Sequence, residues 1–218
     1  MATGAEREKR LAAEAAAELV EDGMTVGLGT GSTAGYFVEA LAARGLDLRC
    51  VATSPATEEM AVRLGLRVEP FAGPKALDGL DLAVDGADQV APDGWVAKGG
   101  GGAHTREKVV AAAAERFVVV VSSDKIVKRL RPPVALELLE FGLAATLRRL
   151  GSVELRDAPP TPDGGILADW TGPVDDPAEL AARLAATPGV VEHGLFPPEL
   201  VTEVLVGRDG GVERLRRP

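Results

Sequence analysis

Cysteine is nearly missing from this 218-residue chain: Cys50 stands alone, so no internal disulfide can form and a reducing cytoplasm is the expected compartment. Histidine is almost as scarce. His104 and His193 lie far apart with no cysteine partner, an inventory that does not build a zinc site. Aromatic residues make up 4% of the chain, too few for a base-stacking platform, and a formal charge of -9 repels a phosphate backbone. The nearest thing to a basic patch, Arg129-Leu130-Arg131 with Lys125 and Lys128, is short and reads as a solvated helix end. Nucleic acid is therefore not an expected partner. No apolar run is long enough to cross a bilayer, and the charged opening from Met1 to Arg10 lacks the apolar stretch of a secretory signal, so no membrane partner is expected either.

What is present is an ordinary globular mixture, 46% apolar and 26% charged, ample for a real core. Alanine and glutamate dominate residues 6–22, with Leu11, Ala15 and Leu19 on one face, which predicts a helix stopped by Gly23. Strands are expected at 24–28, 49–52, 80–84 and 117–121, alternating with helices near 33–43, 56–64 and 105–114. Such alternation predicts an α/β fold, a mainly parallel sheet with helices on both faces. After Pro132 and Pro133 the texture changes. Strand-like runs at 134–138, 152–156 and 165–169 surround helices near 142–150 and 177–185, a small α+β lobe. A run at 202–206 before Asp209-Gly210-Gly211 predicts a hairpin returning to the first domain.

Four loops carry candidate chemistry. The first is Gly27-Leu28-Gly29-Thr30-Gly31-Ser32-Thr33-Ala34, between a strand and a helix, where free backbone N–H groups and the helix dipole favour an anion. The stretch 29–34 also fits the dinucleotide pattern G-x-G-x-x-A. The acidic residue that pattern requires about twenty positions on is replaced by Thr53-Ser54-Pro55, and no lysine follows the glycines as in a Walker loop. Three hydroxyls, Thr30, Ser32 and Thr33, suit a single phosphate group. The second is Asp85-Gly86-Ala87-Asp88, two carboxylates at the C-terminal edge of the sheet, able to act on sugar hydroxyls or to cap a turn.

The third, from Lys98 through Gly99, Gly100, Gly101 and Gly102 to His104 and Glu107, is the most informative. Four successive glycines destabilise any regular element and are tolerated where backbone passes close to a ligand. Lys98 and Glu107 then stand at the two ends of a pocket-lining loop. Glu107 falls in the first turn of its helix, where the dipole favours its charged form and burial the neutral one; the sequence leaves that balance open. As a base, Glu107 would be paired with Lys98 as the group that stabilises an enediolate oxyanion. The fourth, Ser122-Ser123-Asp124-Lys125, puts Lys125 at the same sheet edge as a second cation near the phosphate. His104 is assigned no role.

In order and spacing these motifs, with the helix around Lys9, the segment from Pro188 to Phe196 and the closing hairpin, resemble type A ribose-5-phosphate isomerase over nearly the whole chain. The resemblance implies a Rossmann-like domain over 1–130 and 205–218 with a smaller α+β lobe over 131–204. It also implies interconversion of ribose 5-phosphate and ribulose 5-phosphate through a cis-enediol, without metal or coenzyme, in a homodimer or tetramer. Glu107 matches the family's general base, Lys98 its oxyanion-stabilising lysine, and Asp85 and Asp88 the acids that open the furanose and orient its hydroxyls. Thr30, Ser32, Thr33, Lys125 and Lys9 match the phosphate-binding positions, with Gly29, Gly31 and the four glycines after Lys98 as backbone contacts. Gln89, where many members have Glu, and His104, in a usually apolar or small position, depart from the pattern. So does Thr161-Pro162-Asp163-Gly164-Gly165, which lacks the common Asn.

The same parts could enolise a hexose phosphate. A non-catalytic sugar-phosphate sensor would carry a DNA-binding module, yet a single helix precedes Met24; a nicotinamide-dependent dehydrogenase would bind its cofactor.

Overall fold

Alanine makes the first helix sit close to its sheet. In the computed structural model, which describes residues 4–216, α1 (Gly4–Ala17) buries Ala12, Ala13, Ala16 and Ala17 along one face. Residues 1–3 and 217–218, at the ends of the expected Rossmann-like domain, lie outside the described residues. The helix ends well short of residue 22. Leu19 and Val20 make i→i−3 bonds, and the Arg44 guanidinium takes the carbonyls of Ala17 and Val20, which satisfies the helix end early.

The chain continues through β1 (Thr25–Leu28), α2 (Ser32–Ala43), β2 (Arg49–Ala52), α3 (Pro55–Arg63) and β3 (Leu80–Asp85). Two short strands follow, β4 (Gln89–Val90) and β5 (Val96–Ala97), then α4 (His104–Ala113) and β6 (Ala114–Ser122). The lobe runs through β7 (Val134–Leu138), α5 (Leu143–Leu150), β8 (Val153–Leu155), β9 (Ile166–Trp170), α6 (Pro177–Ala185) and β10 (Val190–His193). The chain closes with β11 (Leu195–Phe196), β12 (Glu203–Arg208) and β13 (Gly211–Arg216).

The main sheet has the order β13-β12-β6-β3-β1-β2, parallel throughout except for the β12–β13 hairpin. Its central strand β6 is a valine run because both faces are covered. Val118 and Val120 join the alanines of α1, Phe37 and Leu41 of α2 and Ala61 of α3 on one face. Phe117, Val119 and Val121 join Val110 and Ala111 of α4 on the other. The strand order reverses between β1 and β3, and the crevice outside the C-terminal ends of such strands is where open α/β sheets bind ligands. The loops after β1, β3 and β6 all open there.

A four-stranded antiparallel sheet, β10-β7-β9-β8, carries the lobe, and a three-stranded one, β11-β5-β4, lies beside it. The two-residue strands β4, β5 and β11 leave no periodic trace to read in the sequence. The basic run at 129–131 is not a helix end. After a 3-10 turn at Ser123–Lys125 the chain is irregular, as Pro132 and Pro133 require, and the Gln89 amide exchanges two hydrogen bonds with the Arg131 backbone at 2.8 and 2.9 Å.

Candidate active site

The anion end is built by the start of α2. Gly31 has φ +98°, a conformation glycine adopts freely, and it frees the N–H groups of the helix start at Ser32. Helix α1 ties the neighbouring loops together. Lys9 Nζ reaches Ser32 Oγ at 3.1 Å and Glu6 at 2.8 Å, while Glu8 takes the backbone N–H and hydroxyl of Ser123 at 2.8 and 2.7 Å. Lys125 follows in the same turn, 3.7 Å from Asp124. Thr30, which lines the cleft, also makes contacts within the protein. Its hydroxyl bonds Thr53 at 2.7 Å and Thr57 at 3.3 Å, and its N–H donates to Asp85 Oδ1 at 3.1 Å, so it braces the loop. Ser54 caps α3 through Thr57 N, at the position where a dinucleotide fold would carry its acid.

The other end holds a buried cluster. Lys98 Nζ lies 3.0 Å from Asp85 Oδ2 and 3.2 Å from Glu107 Oε2, bonds the Gly86 carbonyl, and stands 5.7 Å from the Phe196 ring centre. Asp85 Oδ1 accepts from the N–H groups of Thr30 and Gly86. Gly29 is demanded by this arrangement: a Cβ there would fall 2.1 Å from Asp85 Oδ1. Burial pushes the Glu107 carboxyl up to about 8, helped by the charge of Asp85 and opposed by Lys98. Burial also raises Asp85, against Lys98 and its two backbone donors. Burial favours the neutral amine of Lys98, but Asp85 and Glu107 outweigh it and hold the ammonium. Two carboxyls share one cation, and the donors on Asp85 leave the spare proton to Glu107.

The glycine loop closes the cleft between these ends. Gly99 has φ +98° and Gly102 φ +78°. The N–H of Gly100 donates to Asp88 Oδ2 at 2.8 Å, which fixes that otherwise exposed carboxylate. All the sequence candidates except Asp85, Gly29 and Gly102 line one cleft of about 170 Å³. Asp85 lies beneath it, and Gly102 faces Leu167 of the lobe. That volume suits one small metabolite and is below the range of roughly 300–1,000 Å³ typical of drug-sized ligands. His104 is fully buried and its ring is held neutral, burial pushing it down to about 4.

Sequence reasoning missed several contributors. The Gly86 carbonyl, the hydroxyls of Thr53 and Thr57, Glu8 and Arg156 all hold site residues in place. Hydroxyls following β2 were a signal for the threonines; nothing marks Arg156.

The chain matches the profile of the ribose 5-phosphate isomerase A (phosphoriboisomerase A) family over residues 49–211. It is 46% identical to ribose-5-phosphate isomerase A of Caulobacter vibrioides, covering 97% of this chain and 99% of that one. The structure of ribose 5-phosphate isomerase A from Neisseria gonorrhoeae superposes with a TM-score of 0.91 at 34% identity, covering 99% and 98% of the two chains. A D-ribose-5-phosphate isomerase in complex with phospho-erythronic acid gives 0.90 at 33% identity, covering 99% and 100%. Matched in profile, in sequence along almost its full length and in backbone, this chain belongs to the ribose 5-phosphate isomerase A family.

Proposed function

We propose that the cleft interconverts D-ribose 5-phosphate and D-ribulose 5-phosphate, with Glu107 as the base that moves the carbon-bound proton. The observation that carries this is Lys98 held between Asp85 and Glu107 at the far end of a cleft whose near end is a helix N-terminus flanked by Lys9 and Lys125. The phosphate sits at the start of α2, on Ser32, Thr33 and the two lysines. Glu107 takes the proton from C2 of the open-chain aldose and returns it to C1, while the hydroxyl proton passes from O2 to O1. The charge that develops on oxygen between these steps meets Lys98 and the N–H groups of the glycine loop. Asp85 keeps Lys98 charged, and Asp88 faces the sugar hydroxyls. Pushed up to about 8, the Glu107 carboxyl is mostly protonated at neutral pH, and its ionised fraction is a stronger base than a free carboxylate, which proton abstraction beside a carbonyl needs.

The same reading divides the chain into a Rossmann-like domain and a lobe that begins at 131, with the main sheet resuming at Glu203 rather than at the expected 205, which falls inside β12, because β12 pairs with β6 from Glu203 onward. It places the protein in the cytoplasm as a homodimer or tetramer, which light scattering on the purified protein measures. The decisive assay is direct: chelator-treated protein is expected to convert ribose 5-phosphate to the ketose with no addition. Glu107→Gln is expected to lower kcat by about 10²–10⁴-fold while still binding the sugar phosphate. Near-parental kcat in that variant removes Glu107 from the role.

A further inference from the structure

The glycine loop at 99–102 has no side chains to hold it, and its peptide N–H groups serve a developing oxyanion only if they are already in place. Glycine samples both signs of φ, and a donor that must reorient during reaction stabilises charge poorly. The lobe supplies a clamp. Arg156, directly after β8, sends Nη1 to the carbonyls of Gly99 at 2.8 Å and Gly100 at 3.2 Å. The rest of the guanidinium makes a two-pronged pair with Asp169 of β9, Nε to Oδ2 at 2.9 Å and Nη2 to Oδ1 at 2.7 Å. Both side chains are mostly buried, so solvent screens this pair little.

The C=O and N–H of a trans peptide point in opposite directions. Fixing the carbonyls of Gly99 and Gly100 therefore turns the N–H groups of Gly100 and Gly101 away from Arg156. The first of these meets Asp88 Oδ2, and Asp88 and Gly101 both line the cleft. One planar fork sets two consecutive peptide planes. A lysine ammonium cannot hold Asp169 by two parallel bonds and reach both carbonyls.

We propose that Arg156, braced by Asp169, is a positioning residue for the isomerisation, presenting the Gly100 and Gly101 N–H groups to Asp88 and to the enediolate. This rests on reading the cleft as the isomerase site. Arg156→Gln is expected to lower kcat about 10- to 100-fold, less than the loss of a full oxyanion donor at its upper end. KM for ribose 5-phosphate is expected to change less than about threefold, because the anchors at α2 are untouched. Affinity for phospho-erythronic acid, whose carboxylate carries charge at the sugar end, is expected to fall in step with kcat/KM, while inhibition by inorganic phosphate holds. R156K keeps the charge without the fork and is expected to behave as R156Q. D169N loosens the brace alone and is expected to lower kcat about 3- to 10-fold; it also decides the matter should R156Q not fold. Parental kcat in folded R156Q, or in D169N where R156Q does not fold, full kcat in R156K, or a loss confined to KM overturns the proposal. Failure of the site reading shows separately, as a parent protein that does not turn over ribose 5-phosphate or a Glu107→Gln variant that does.

Discussion

Lys98 stands between two buried carboxylates, so with both ionised the cluster carries an uncompensated negative charge where little water can reach it. The proton that relieves this charge has to leave before Glu107 can act. We expect kcat/KM to fall about tenfold per pH unit below a midpoint near 8, the value to which burial pushes Glu107. A profile that stays flat from pH 6 to 9 sinks that assignment. Asp85→Asn removes the neighbouring charge that raises Glu107, so the midpoint is expected to move to lower pH in whatever activity remains. Both ends of this cluster are legible in the sequence, since a lysine and a glutamate flanking four glycines mark the mouths of a ligand loop. The proton's location is not, because it depends on burial and on two backbone donors that only the folded chain brings to Asp85.

Helix α1 lies on the sheet through alanines and through one glycine. A Cβ at Gly207 of β12 would fall 1.8 Å from the Glu8 carbonyl, so any side chain there lifts the helix. Gly207→Ala is expected to cost about 1–3 kcal/mol of stability, as overpacking does. It is also expected to raise KM for the sugar phosphate more than it lowers kcat, because Lys9 and Glu8 ride on the displaced helix. Steady-state kinetics beside a urea titration separates the two effects; an unchanged KM in a destabilised variant would show that α1 does not set the anion site. Elements of this length were readable from their periods. The strands of the main sheet and, apart from the unexpected β10, of the lobe lie within a few residues of expectation, and α6 spans the expected residues. What escaped was set by contacts between distant parts: the early stop of α1 by Arg44, and strands β4, β5 and β11, each defined only by its partner.

At the scale of the whole molecule, pH works on stability from both sides. His104 and His193 are both pushed down to about 4, first of all by burial, whereas an unfolded chain protonates them near 6.5. Between those values the unfolded state binds more protons, so stability present above about 6.5 is lost as the pH falls, by up to ~1.4 kcal/mol per unit for each histidine. Glu107 acts with the opposite sign. Its folded value lies above its unfolded one, so its contribution is full below about 4.3 and is lost as the pH rises through about 8. From about 4.3 to 6.5 the two histidines outweigh Glu107, and above about 6.5 Glu107 acts alone, so urea unfolding is expected to give greatest stability near pH 6.5. The substitution H104N is expected to lower the acid-side slope by up to ~1.4 kcal/mol per pH unit, leaving the remaining histidine and Glu107 nearly balanced between about 4.3 and 6.5, and an unaltered slope would place the acid sensitivity elsewhere.

The contact between α1 and β12 joins stretches of chain about two hundred residues apart. During synthesis, every candidate catalytic group precedes β12 in the chain, and although α1 can already rest on α2 and β6, its seat is incomplete until β12 pairs with β6. A nascent polypeptide halted at residue 200 would thus hold the candidate groups while the strand that completes the seat of α1 is still missing.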